Sequence, residues 1–135
     1  MKNNNLSGGL FQKKPTPLTQ KETSLSARIA AYLDAIGVYN DRLQCGQFQT
    51  PSGNWMRGSK RGTPDRFAIV RGQIIFVEVK RTGEKPTGEQ LAKHEELEAA
   101  GAIVLVCDCF EQFKAQLSAV RQIIESNKRE VNLYD

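Results

Sequence analysis

Two apolar runs, Phe67-Ala68-Ile69-Val70 and Ile74-Ile75-Phe76-Val77, stand only Arg71-Gly72-Gln73 apart. Each is too short for a helix and rich in β-branched and aromatic residues. The gap leaves room for a tight turn and nothing more, so the segment reads as an antiparallel β-hairpin. If Arg71-Gly72 forms a two-residue loop, Val70 pairs with Gln73 and Asp65 falls opposite Glu78. A bulge or a three-residue loop would shift this register by one.

The second run continues into Glu78-Val79-Lys80. A strand that is apolar on both faces belongs in the middle of a sheet. Side chains alternate, so Glu78 and Lys80 share one face, about 7 Å apart, and Ile75, Val77 and Val79 take the other. A carboxylate or ammonium buried there without a partner is costly. Two carboxylates facing each other across the hairpin also repel. The pair is tolerable if one acid is protonated or if a cation lies between them. Carboxylate oxygens suit hard cations such as Mg²⁺ or Mn²⁺. Two acids beside a lysine point to phosphodiester chemistry, in which Lys80 orients a water and offsets developing negative charge. The plainer reading is a Glu78–Lys80 ion pair at a strand end, with Asp65 as a turn residue after Pro64.

The rest of the chain supplies a frame for this hairpin. Its 135 residues fit one domain with one core. The net charge of +4 and pI of about 9.1 favour a polyanionic partner, weakly. Residues 1–18 are rich in Asn, Gly, Lys, Pro and Thr and are expected to be disordered. A capping box at Thr19-Gln20-Lys21-Glu22 starts a helix with Leu25, Ile29, Tyr32, Leu33 and Ile36 at helical spacing, ending at Gly37. Residues 41–49 read as a strand and Thr50 to Thr63 as a long glycine-rich loop. Thr87-Gly88-Glu89-Gln90 caps a second helix that runs to about Ala100, and Gly101 ends it. Ala102 to Cys107 reads as a strand buried on both faces. Asp108 begins a last helix with Phe113, Leu117, Val120 and Ile124 on one face, followed by a charged tail from about 126 to 135. The order α-β-β-β-α-β-α predicts an α/β fold with a mixed central sheet flanked by helices.

These residues resemble the PD-(D/E)XK nuclease superfamily, and within it the VRR-NUC family of virus-type replication-repair nucleases. Gly62-Thr63-Pro64-Asp65 is similar to that family's Gly-x-Pro-Asp, and Phe76-Val77-Glu78-Val79-Lys80 to its hydrophobic-Glu-Val-Lys strand. Gln90 stands on the next helix and Gly101 precedes the last core strand, as the family has them. The resemblance runs from about Thr19 to Phe113. It implies a restriction-endonuclease-like α-β-β-β-α-β core and an Mg²⁺- or Mn²⁺-dependent deoxyribonuclease, often selective for branched or flapped DNA. It carries the metal ligands to Asp65, Glu78 and the Val79 backbone carbonyl, and the catalytic lysine to Lys80. An acid on the first helix corresponds to Glu22. Stand-alone members of this size look like phage-type proteins that form homodimers; DNA repair, recombination and phage replication are all open as the host process.

Several second-tier residues carry two readings. Glu22 and Gln90 complete capping boxes, yet each also lies where it can reach the site. Lys60 and Arg61 precede Pro64-Asp65 and suit DNA phosphates, and Arg81 and Lys85 extend the basic strip. Trp55 suits either an unpaired base or the core, and packing is the expectation. Cys45 and Cys107 are expected in the core and His94 on a helix surface; the Cys107-Asp108-Cys109 spacing fits no zinc pattern. An odd cysteine count and the absence of an apolar leader predict an intracellular, reducing location. The alternative function is a non-catalytic nucleic-acid-binding module of the same fold; a protein-interaction module is a third reading.

Overall fold

The protein is described by a computed structural model covering residues 22–132. The expected Thr19 cap and the expected disorder of residues 1–18 lie outside the described residues, as does the side chain of Glu22. In chain order the elements are α1 (Glu22–Ala35), β1 (Tyr39–Arg42), β2 (Gln47–Gln49), β3 (Trp55–Arg57), β4 (Arg66–Val70), β5 (Gln73–Val79), α2 (Gly88–Ala99), β6 (Ile103–Cys107) and α3 (Phe110–Asn132). The fold is α/β, with a mixed four-stranded sheet ordered β1-β4-β5-β6 and a small antiparallel ribbon of β2 and β3. β1 pairs with β4 and β4 with β5 antiparallel, and β6 pairs with β5 in parallel. A parallel pair needs a crossover, and α2 supplies it.

The hairpin takes the two-residue register, with Val70 on Gln73 and Arg66 on Val77. Arg71 at φ +48° and Gly72 at φ +82° form its turn, a conformation matched to the twist of the strands it joins. Ile75, Val77 and Val79 face one side, where they meet Leu25, Ile29 and Leu33 of α1 and Phe113, Leu117 and Val120 of α3. Each such side chain taken from water contributes about 1.5–3 kcal/mol. The helices form because their apolar residues recur at the spacing that loads one face.

Four expectations change, the last being the strand over Ala102 to Cys107 expected to be buried on both faces. The strand predicted over 41–49 is two strands, because the chain leaves β4 after Arg42 and turns back at Gly46. The loop predicted over Thr50 to Thr63 contains β3, paired to β2 as a ribbon that stands apart from the main sheet. The last helix starts at Phe110 and runs through much of the charged tail to Asn132. Beyond Glu125, which pairs with Arg71, the charged side chains of Lys128, Arg129 and Glu130 are exposed, so helical hydrogen bonding proceeds without a core face to signal it. β6 is an edge strand, contacted by α2 and α3, with Ile103, Val104 and Val106 only half-buried. Among the described residues no helix is long and apolar enough to cross a membrane.

Candidate active site

β5 carries Glu78 near its end, and Lys80 follows directly after the strand, at the end of the sheet away from the hairpin turn. Both are buried, with Glu78 2% and Lys80 5% exposed. One step beyond the observed Arg66–Val77 pair, the register sets Asp65 opposite Glu78. Pro64 before it is fully buried, and the Asp65 carbonyl accepts a hydrogen bond from the Leu43 amide at 2.7 Å. The acid is thus tied on both sides, because its Oδ2 also accepts from the Val79 amide at 2.9 Å. Its Oδ1 accepts no hydrogen bond from a described residue.

Glu78 faces α2. Its Oε1 accepts from Gln90 Nε2 at 3.1 Å and lies 3.7 Å from Lys80 Nζ. Its Oε2 lies 3.5 Å from His94 Nε2. Gln90 serves twice: its Oε1 accepts from the Thr87 amide, completing the capping box, while its Nε2 reaches the carboxylate. A buried carboxylate is tolerated when polar partners converge on it, and here a lysine, an amide and an imidazole do so.

His94 is the main correction. It was expected on the helix surface, and it is 6% exposed against Glu78. Burial lowers its pKa below 6.5, Lys80 lowers it further and Glu98 opposes them. The ring is therefore neutral near pH 7, and Nε2 carrying its proton is the tautomer that donates to a carboxylate. The sequence did hold the signal: His94 follows Gln90 by four residues, so one helical face presents both. Cys45 also departs from expectation, being exposed, with Sγ donating to the Thr63 carbonyl. Trp55 was expected to pack and is 70% exposed. Cys107 is buried as expected.

The two acids act on common ground. Partial desolvation by the surrounding loop raises the pKa of the exposed Cys45 thiol, and the charges of Asp65 and Glu78 raise it further. Burial pushes Cys107 up to about 12, helped by Cys109, Asp108, Asp65 and Glu78. Negative potential from both carboxylates thus converges at this end of the sheet. Among the described residues no group of three or more His, Cys, Asp or Glu side chains is arranged to hold a metal ion. Two carboxylates, one with an oxygen left for a further partner, fit a cation that keeps most of its water, as Mg²⁺ does.

The basic loop packs against this site from the side. Arg61 Nε is 3.3 Å from Glu89 Oε1 on the first turn of α2. Gly62, at φ +78°, passes so close to α2 that a Cβ would lie 2.8 Å from the Glu89 carbonyl oxygen. Lys60, Arg81 and Lys85 are exposed.

No family model matches the chain. A stretch of 50 residues is 54% identical to a protein of Acyrthosiphon pisum secondary endosymbiont phage 1 named "Putative nuclease p44". It covers 36% of this chain and 54% of the phage protein, so the match spans about half the length of that relative.

Proposed function

We propose that this protein is a metal-dependent nuclease that hydrolyses DNA phosphodiester bonds at Asp65, Glu78 and Lys80. The observation that carries the reading is a buried Glu78–Lys80 pair with a second carboxylate registered opposite it. A structural ion pair has no need of Asp65, whose repulsion it must bear. The nuclease name of the phage relative supports the same reading.

Asp65 and Glu78, with the Val79 carbonyl, are the groups that would hold Mg²⁺ or Mn²⁺. When bound, such an ion polarises the phosphoryl oxygen and lowers the pKa of a coordinated water. Lys80 donates to the attacking oxygen and offsets the charge that builds on the phosphoryl group. Gln90 and His94 fix the Glu78 carboxylate, so little reorganisation accompanies the reaction. Lys60, Arg61 and Arg81 bind flanking phosphates and set the strand's position rather than its sequence. We assign Glu22 a supporting role on the same site. The substrate proposed is branched or flapped DNA. A single domain of this size offers little surface for it, which favours a homodimer.

Cleavage of linear, single-stranded, flapped and four-way DNA by wild type, Glu78→Ala and Lys80→Ala tests the proposal, with Mg²⁺, Mn²⁺ or EDTA. Cleavage is expected only with metal and lost in Glu78→Ala. Lys80→Ala is expected to lose at least about 10²–10³ in rate while keeping DNA binding. Metal-dependent cleavage at the wild-type rate by Asp65→Ala would refute the site. Binding without cleavage of any substrate would leave a non-catalytic binding module.

A further inference from the structure

Between Asp41 and Asp65 the chain carries Arg42, Arg57, Lys60 and Arg61 and not one Asp or Glu. This stretch builds the β2–β3 ribbon and a cleft of about 630 Å³ at its root, lined by Gly46, Gln47, Arg57, Ser59, Lys60 and Arg61. Arg57 and Lys60 form no ion pair with a described residue. On the ribbon, Trp55 pairs with Gln49 and Arg57 with Gln47. Alternation places these four on one face, so the exposed indole and the Arg57 guanidinium stand side by side. That face is a flat aromatic surface next to cationic groups, the combination on which single nucleic-acid strands bind.

The ribbon is not a loose flap. The Gly58 amide bonds the Gly46 carbonyl and the Ser59 amide bonds the Gln44 carbonyl, each at 2.7 Å. A Cβ at Gly58 would sit 2.1 Å from the Gln44 oxygen, so backbone packs directly on backbone there. Cys45 bridges to Ser59 and bonds the Thr63 carbonyl, two residues before Asp65. The charges of Asp65 and Glu78 are felt at Cys45. The cleft therefore holds a set position beside the two carboxylates.

We propose that the ribbon and its cleft bind an unpaired stretch of DNA strand leading into the site, with Trp55 stacked on a base and Arg57 and Lys60 on flanking phosphates. This rests on the nuclease reading for the strand's destination, and it names the substrate feature recognised, which that reading does not. A duplex buries its base faces and cannot offer one to Trp55 without unstacking.

Trp55 is the single tryptophan of the chain, so its emission reports this site alone. The full chain in EDTA is titrated with short oligo(dT) and with a duplex of equal length, following emission and the anisotropy of labelled DNA. Oligo(dT) is expected to quench Trp55 and the duplex to leave it nearly unchanged. Trp55→Ala is expected to weaken oligo(dT) binding about tenfold with an unaltered circular dichroism spectrum, and Trp55→Phe to restore most of it. Arg57→Ala and Lys60→Ala should each reduce the salt slope of log affinity by about 0.7. Unquenched emission, equal quenching by duplex, or wild-type binding by Trp55→Ala would overturn the proposal. Quenching with no cleavage under any metal would sink the nuclease reading and leave this site standing. Cleavage with Trp55→Ala indifferent in binding would do the reverse.

Discussion

At the residue scale the tension lies between Asp65 and Glu78. Both are needed for the proposed chemistry, and as facing carboxylates they weaken the hairpin. Asp65→Asn keeps an acceptor for the Val79 amide and removes one charge. In EDTA it is expected to raise the melting temperature by about 2–5 °C, the equivalent of about 0.5–1 kcal/mol of relieved repulsion. Mg²⁺ should stabilise the wild type and not the variant, because only a folded site with both acids binds it. An unshifted wild-type melting curve in saturating Mg²⁺ would count against the two-acid site. The thiols give a second check. A raised thiol pKa means the reactive thiolate appears only at higher pH. With its pKa near 12 and its side chain buried, Cys107 should resist iodoacetamide at pH 8 in the folded protein. Cys45 should react, and faster as pH rises or as Mg²⁺ offsets Asp65 and Glu78; peptide mapping reads both sites.

At the scale of elements, α2 joins stability to the site. Thr87 caps it and Gln90 both closes the cap and holds Glu78. Thr87→Ala is expected to cost about 1 kcal/mol of stability and leave the cleavage rate of the folded protein near wild type. Gln90→Ala should lose similar stability and also slow cleavage, since the carboxylate loses a donor. Equal cleavage rates for the two variants would show Gln90 to be a cap alone. The hairpin and α2 were legible because turn, cap and apolar period are local signals. The ribbon was not: Gln47-Phe48-Gln49 and Trp55-Met56-Arg57 bury too little to leave a period, and their pairing depends on backbone contacts at Gly46 and Gly58.

At the scale of the whole molecule, one face of the sheet is incompletely covered. α1 and α3 seal the side bearing Ile75, Val77 and Val79, while α2 lies over β6 and the Glu78 end of β5. Tyr39, Ile69 and Ile74 remain on that second face at 64%, 37% and 42% exposure, in register across three strands. The proposed homodimer can bury them without touching the site. Light scattering is expected to give twice the chain mass, and Ile69→Asp with Ile74→Asp to give the monomer. A monomeric wild type at micromolar concentration would remove the dimer from the proposal.

What the sequence determined by itself was whatever short-range geometry governs. The two-residue turn set the hairpin register, and with it the facing of Asp65 and Glu78. Alternation set Glu78 and Lys80 on one face, and capping signals set where α2 begins. What only the tertiary structure decided was which surface each remaining side chain meets. His94 is buried because the β5–α2–β6 crossover lays one face of α2 over Glu78; the four-residue spacing from Gln90 puts both on one face, and only the packing decides what that face meets. Cys45 and Trp55 are exposed because the chain leaves the main sheet after Arg42, a departure fixed by contacts between residues far apart in sequence. Local chemistry selects elements, and packing between them selects environments.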